Sequence, residues 1–309
     1  STGLKARMEK NPGLRKTFFF LGLILLIAGM FLFHFVDWEL TGRLTVTLSL
    51  TLLILSYYPT NKSADSLLTH CTIKGKWVRL TLLAILVLAT FYRFHRLVDI
   101  PCGINNDAAW NGIYAHRILD GEPYTPFTSE AWGKSTFYFY LIALSIKLFG
   151  SSVTSLYLPC IVTGILTVFA VFLLARTLWN TQIALIGSAI YAVMSWNVTF
   201  SRTGYRAILS PLFLALTGYC YYRAVDSNSS WKKLLYFAGT GIAIGMGLHS
   251  YFPFRGVPVM MIIIGIHSWI TTKKYMRRNW WGILVLLVTS SAIFTPLLMY
   301  GLKDPKSFF

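Results

Sequence analysis

TFYFYLIALSIKLF, residues 136–149, decides how the chain is threaded. The stretch is apolar, but at 14 residues with Lys147 inside it it falls short of the roughly 20 residues an α-helix needs to cross a bilayer. It suits a helix lying in the interface instead. Whether it crosses or lies flat sets the side of the membrane for every later loop. Longer apolar runs flank it: 17–36, 41–58 and 77–98 before it, and 156–175, 182–200, 207–222, 234–252, 256–271 and 281–300 after it. Charge arbitrates, because Lys and Arg concentrate in cytoplasmic loops. The N-terminal tail carries Lys5, Arg7, Lys10, Arg15 and Lys16, and the loop after the second run carries Lys62, Lys74, Lys76 and Arg79, so both belong inside. If 136–149 lies flat, later inside loops hold eight cations (Arg176, Arg223, Lys232, Lys233, Lys273, Lys274, Arg277, Arg278) against five outside (Arg202, Arg206, Arg255, Lys303, Lys306). If it crosses, the counts swap. The flat reading predicts an all-α polytopic transmembrane bundle of about nine spans with an interfacial helix, its N-terminus cytoplasmic and its end outside.

With 55% hydrophobic and 13% charged residues over 309 positions, the chain is too apolar for an ordinary soluble domain. Its formal charge of +17 does not point to nucleic acid, since the cations sit in short clusters between apolar runs rather than along one face. They report orientation and a lipid bilayer, with anionic lipid as a partner. The four cysteines, Cys71, Cys102, Cys160 and Cys220, show no CxxC spacing and indicate neither a disulfide framework nor a zinc knuckle. The first run is long for a signal peptide and reads as a retained span. Arg93, His95 and Arg96, near the outer end of 77–98, are placed where long cations reach the interface.

Between the third run and 136–149 lies the polar stretch DIPCGINNDAAWNGIYAHRILDGEPYTPFTSEAWGK, residues 99–134, which holds five of the eleven acidic residues. Asp107 opens a predicted helix, 108–119, closed by Asp120-Gly121. It reads either as the helix N-cap, a role Asn106 could equally fill, or as a carboxylate facing a cavity, able to take a proton from an attacking hydroxyl or to bind a metal. His116 and Arg117 fit a solvated face as well as catalysis, and Glu122 and Glu130 are loop carboxylates. Lys134 could neutralise a phosphate or anchor the interfacial helix at the headgroups. Arg202 and Arg206, four apart in SRTGYRAILSP, suit a phosphate or pyrophosphate. His249, Tyr251 and Arg255, in HSYFPFR, read as an aromatic belt or as part of the same anion site. The flat threading puts all of these on the outer face.

With those residues in view, the chain resembles the GT-C superfamily of polyprenyl-phosphate-sugar-dependent glycosyltransferases, in the bacterial branch of protein O-mannosyltransferases and lipid A aminoarabinose transferases. The resemblance is carried by 93–101 with NDAAW, ILDGEPY, FYLIALSIKLFG, FSRTGYRAILSP, GMGLHSYFPFRGVP and TPLLMYGLKDPKSFF, and covers about residue 77 to the end. It implies a GT-C-like module at 77–309 after an N-terminal part, 1–76, with two additional spans. Residues 99–150 would form the outer catalytic loop and its interfacial helices. Relatives often have Asp-Glu at Asp107-Ala108, and some carry a second Asp near 207–210. Many also continue beyond the point where this sequence stops, which implies a piece of a longer protein.

The resemblance further implies a multi-pass inner or plasma membrane enzyme that transfers sugar, with inversion, from a polyprenyl-phosphate-linked donor to an acceptor hydroxyl on a glycan, lipid or protein. Asp107 would be the catalytic carboxylate and Lys134, Arg202, Arg206 and Arg255 the phosphate ligands. His249, Tyr251, Glu122 and Arg117 would be accessory, and a divalent metal, if one takes part, would look to Asp107 and His249. Two rival readings use the same residues: a silent accessory subunit of a larger membrane complex, and a transporter of lipid-linked substrates.

Overall fold

The computed structural model describes residues 75–100, 103–130, 133–271 and 275–305. The expected runs at 17–36 and 41–58 lie outside the described residues. Helix α1 (Gly75–Phe94) is followed by α2 (Asn106–Leu119), a two-stranded antiparallel hairpin, β1 (Phe127–Thr128) with β2 (Lys134–Ser135), and α3 (Phe137–Phe149). Then come α4 (Val153–Leu178), α5 (Thr181–Val193), α6 (Ser195–Arg202), a 3-10 turn at Arg206–Ile208, α7 (Leu209–Asp226) and α8 (Ser230–Leu248). A second 3-10 turn at Phe252–Arg255 leads to α9 (Gly256–Thr271) and α10 (Tyr275–Lys303).

The short helix α3 behaves as its length dictates. Thirteen residues rise only about 20 Å, well under the hydrocarbon thickness. Just before it, Lys134 lines the same cavity as Arg206, and just after it Tyr157 of α4 abuts Gly204, two residues before Arg206. The segments flanking α3 on both sides thus pack toward the 203–206 turn, as expected of a helix too short to span. Gly150, with φ of 80°, ends it, and a reciprocal Ser152–Ser155 capping box starts α4.

Among the described residues, four helical segments are long and apolar enough to cross a membrane: α1, α4, Phe252–Ile270 and Arg278–Lys303. The run expected at 182–200 is not one straight helix but the pair α5–α6, bent by 52°. The runs at 207–222 and 234–252 are helical as α7 and α8, which are not among those four.

The bend has a physical cause in Arg93, which is not at the interface as its position suggested but fully buried. Its Nη1 donates to the Ala192 carbonyl at 3.1 Å and to the Ala89 carbonyl at 3.0 Å, while Nε donates to Ser201 Oγ at 3.1 Å. The guanidinium thus takes up a carbonyl freed where α5 ends and grips α6 beyond the break. Gly164 leaves the room, because a Cβ there would collide with both Arg93 and Ser201.

One core forms where α2, α3, α4 and the start of α7 meet, around Tyr138, Phe139, Ile142, Tyr157 and Ile161. Another joins α1, α4 and α5 around Ala89, Val168, Phe172 and Ala184. Helices α8 and α10 approach closely at Gly241 and Gly245, where any Cβ would run into Thr289 or Ile293, as small residues permit between membrane helices.

Candidate functional site

Helix α2 begins with Asn105, whose Oδ1 accepts from the Ala108 N–H at 2.9 Å. The N-cap is therefore Asn105, not Asp107 or Asn106, and Asp107 is left in the first turn, where the helix dipole favours a carboxylate. Its Oδ1 lies 2.8 Å from Lys134 Nζ; the lysine side chain is 8% exposed and the carboxylate 50%. The hairpin supplies that lysine. Thr128, paired with Lys134 across the strands, receives a 2.5 Å hydrogen bond from the Tyr114 hydroxyl on α2, so the helix and the hairpin that carry the two charges are tied together.

The facing wall is the 203–206 turn. Gly204 takes φ of 73° and lies so close to Ala108 and Tyr157 that no Cβ fits easily. Asn105 Nδ2 donates to the Thr203 carbonyl at 2.5 Å and Asn111 Nδ2 to the Gly204 carbonyl at 3.0 Å. These two bonds fasten α2 to the turn and bring Arg206 round toward Asp107. The result is a cavity of about 400 Å³ lined by Asp107, Asn111, Lys134, Phe200, Tyr205, Arg206, Ala207 and Tyr251. Arg206 stacks over the Tyr251 ring, 5.6 Å from its centroid. Burial lowers the Arg206 pKa, while Tyr251 and the Asp107 carboxylate pull it the other way.

Of the residues singled out from sequence, Asp107, Lys134, Arg206 and Tyr251 meet here. The others do not line this cavity. Arg202 is buried, with its guanidinium on the carbonyls of Tyr92 (2.6 Å), Arg96 (3.1 Å) and Ile100 (2.5 Å). The turn at Gly204 breaks the helical spacing that would have put it beside Arg206. Arg255 stacks over Phe252, 4.6 Å from the ring centroid. His249 is buried and bonded through Nε2 to the Ile293 carbonyl at 2.9 Å, joining α8 to α10. Arg117 pairs with Glu130 at 2.9 Å in an exposed bridge, with Glu122 nearby.

A divalent metal is not matched by this donor set. His249 and Asp107 do not converge, and among the described residues no three His, Cys, Asp or Glu side chains gather as a metal site would require.

The residues the sequence reading passed over are Asn105, Asn111 and Gly204. The available signals were the Asn105-Asn106 doublet ahead of the helix, the one-turn spacing of Asp107 and Asn111, and a glycine between two arginines.

The comparisons with known proteins point to the GT-C glycosyltransferase superfamily. The model of the family described as dolichyl-phosphate-mannose-protein mannosyltransferase matches residues 134–300, more than half of the chain, and the chain belongs to that family. It is 29% identical over 112 residues to the undecaprenyl phosphate-alpha-4-amino-4-deoxy-L-arabinose arabinosyl transferase 2 of Pseudomonas fluorescens; the match covers 35% of this chain and 19% of that relative. The Archaeoglobus fulgidus oligosaccharyltransferase shares the fold. Its structure tethered to an acceptor peptide gives a TM-score of 0.61 at 15% identity, and its apo form 0.59 at 17%. Each comparison covers 72% of this chain and 30% of that one.

Proposed function

We propose that this chain is the membrane module of an inverting glycosyltransferase that moves a sugar from a polyprenyl-phosphate donor to an acceptor hydroxyl on the membrane face opposite the N-terminus. The observation that carries the reading is the Asp107–Lys134 pair facing Arg206 in one hollow. The acceptor O–H gives its proton to the Asp107 carboxylate as the acceptor oxygen bonds to the anomeric carbon. The bond from that carbon to the phosphate oxygen breaks from the opposite side, and the phosphate leaves with the electron pair. Lys134 and Arg206 hold the charge that develops there. Once Asp107 is protonated it no longer holds Lys134, which is then free for the phosphate.

A lipid-linked donor is supported by a second feature. An apolar groove of about 330 Å³ runs between α3, α4 and α7, walled by Phe137, Leu141, Leu158, Val162, Leu209 and Phe213. Two of its walls, α3 and α7, start directly after Lys134 and Arg206, so a charged head in the hollow has an apolar channel beside it for its chain.

The test is transfer by the full-length protein containing this chain, with a panel of polyprenyl-phosphate sugars. Asp107→Asn should lower the rate about 10²- to 10⁴-fold while donor binding and the melting temperature in detergent hold. Near-normal transfer in that variant removes Asp107 from the chemistry. Donor binding without transfer by the wild-type protein favours a silent subunit, and flux of a lipid-linked substrate into liposomes without transfer favours a carrier.

A further inference from the structure

Asn111 follows Asp107 by one turn of α2, so the two side chains share a face of the helix. The residue is 1% exposed and forms part of the wall of the hollow. Its Nδ2 is committed to the Gly204 carbonyl, and this fixes the amide, because a flip would press Oδ1 against that carbonyl oxygen. Oδ1 has no hydrogen-bond partner. Among the described residues, several buried polar side-chain atoms lack a partner, and only this one belongs to a residue lining the hollow. A buried acceptor left without a donor is costly, and such atoms in native proteins call for an explanation.

We infer that Asn111 Oδ1 accepts a hydrogen bond from one hydroxyl of a substrate sugar, making Asn111 a specificity-determining residue of the site. The inference rests on the transferase reading above. The chemistry suits the place. An amide oxygen offers an acceptor without charge, whereas a carboxylate at 111 would repel both Asp107 and an incoming phosphate. A site built to receive a hydroxyl also rejects the analogue that lacks it, since its own polar group is then stranded. The hydroxyl belongs to the donor sugar or to a sugar acceptor, and the experiment separates the two.

For the polyprenyl-phosphate sugar that the wild-type full-length protein turns over best, among mannose, glucose, galactose and 4-aminoarabinose, kcat/KM is measured against each monodeoxy donor and, in a second arm, each monodeoxy acceptor. In the wild type, loss of one particular hydroxyl should lower kcat/KM about 10- to 100-fold. In Asn111→Leu, and in Asn111→Ser should the leucine variant fail to fold, that penalty should shrink to within about threefold, whatever the overall rate. Asn105→Ser keeps a capping oxygen but loses the bond to the Thr203 carbonyl, so it loosens the same turn while retaining the full penalty. If every deoxy analogue keeps its penalty in the Asn111 variants, Asn111 is a fastening of α2 alone and the inference is overturned, with the Asp107 result untouched. If the wild-type protein transfers none of these sugars, the transferase reading fails first and takes this one with it.

Discussion

Arg202 and Arg206 are four positions apart in one short segment, yet their surroundings have opposite characters. Arg202 spreads its guanidinium over three backbone carbonyls where α1 ends and the chain turns away. Arg206 sits in a cavity with a carboxylate, a lysine and a tyrosine ring. A cation that answers the carbonyls at a helix end works for the fold, because such carbonyls lose their intrahelical donors. A cation that faces an open hollow, beside a carboxylate already held by Lys134, has its planar donors available for an anion. The same side chain thus serves architecture in one region and, under the proposed function, chemistry in the other. Arg93 belongs with the first kind, gripping the break between α5 and α6.

This contrast can be broken at its strongest point by Arg202→Met. Removing the guanidinium takes a donor from the Tyr92 and Ile100 carbonyls and should destabilise the protein by about 1–3 kcal/mol, read as a lower melting temperature in detergent. Transfer per folded molecule should be largely kept, and a stable Arg202→Met protein with lost transfer would merge the two regions. Arg206→Gln should do the reverse, lowering kcat/KM about 10- to 100-fold with little change in melting temperature, and Arg206→Lys should recover part of the loss. Gly164→Ala sharpens the architectural side. Its methyl group presses on Arg93 and Ser201 and should cost about 1–3 kcal/mol of stability, with transfer following the folded fraction. At the small end, Glu130→Gln opens the exposed pair with Arg117 and should leave both melting temperature and transfer unchanged within error, as surface pairs generally do.

The positions of α1, α4, α7, α8, α9 and α10 were legible because apolar runs of near-spanning length are a strong signal, and 136–149 forms a helix of only 13 residues, as its length suggested. The gathering of Asp107, Lys134 and Arg206 followed from the same threading argument, without any knowledge of side-chain directions. What the sequence concealed depended on partners distant in the chain. Nothing in Ala192 or Met194 marks a bend, since the carbonyl freed there is answered by Arg93, about a hundred residues earlier. Asn105 could not be told from Asn106 or Asp107 as the cap, because all three are good capping residues and the choice is made by how α2 meets the 203–204 turn. Arg202 and Arg206 looked alike by spacing, and only the left-handed turn at Gly204 divides them.

The shortness of α3 has a consequence for traffic in the proposed transferase. Because its thirteen residues are too few to span a bilayer, α3 leaves the bundle's flank ajar rather than sealing it, and an apolar groove runs between it, α4 and α7. A tailed molecule can then slide in sideways while its head docks at Lys134 and Arg206. Asp107 keeps half of its carboxylate exposed, so under that proposal a water-borne reactant would not have to queue behind the tailed one.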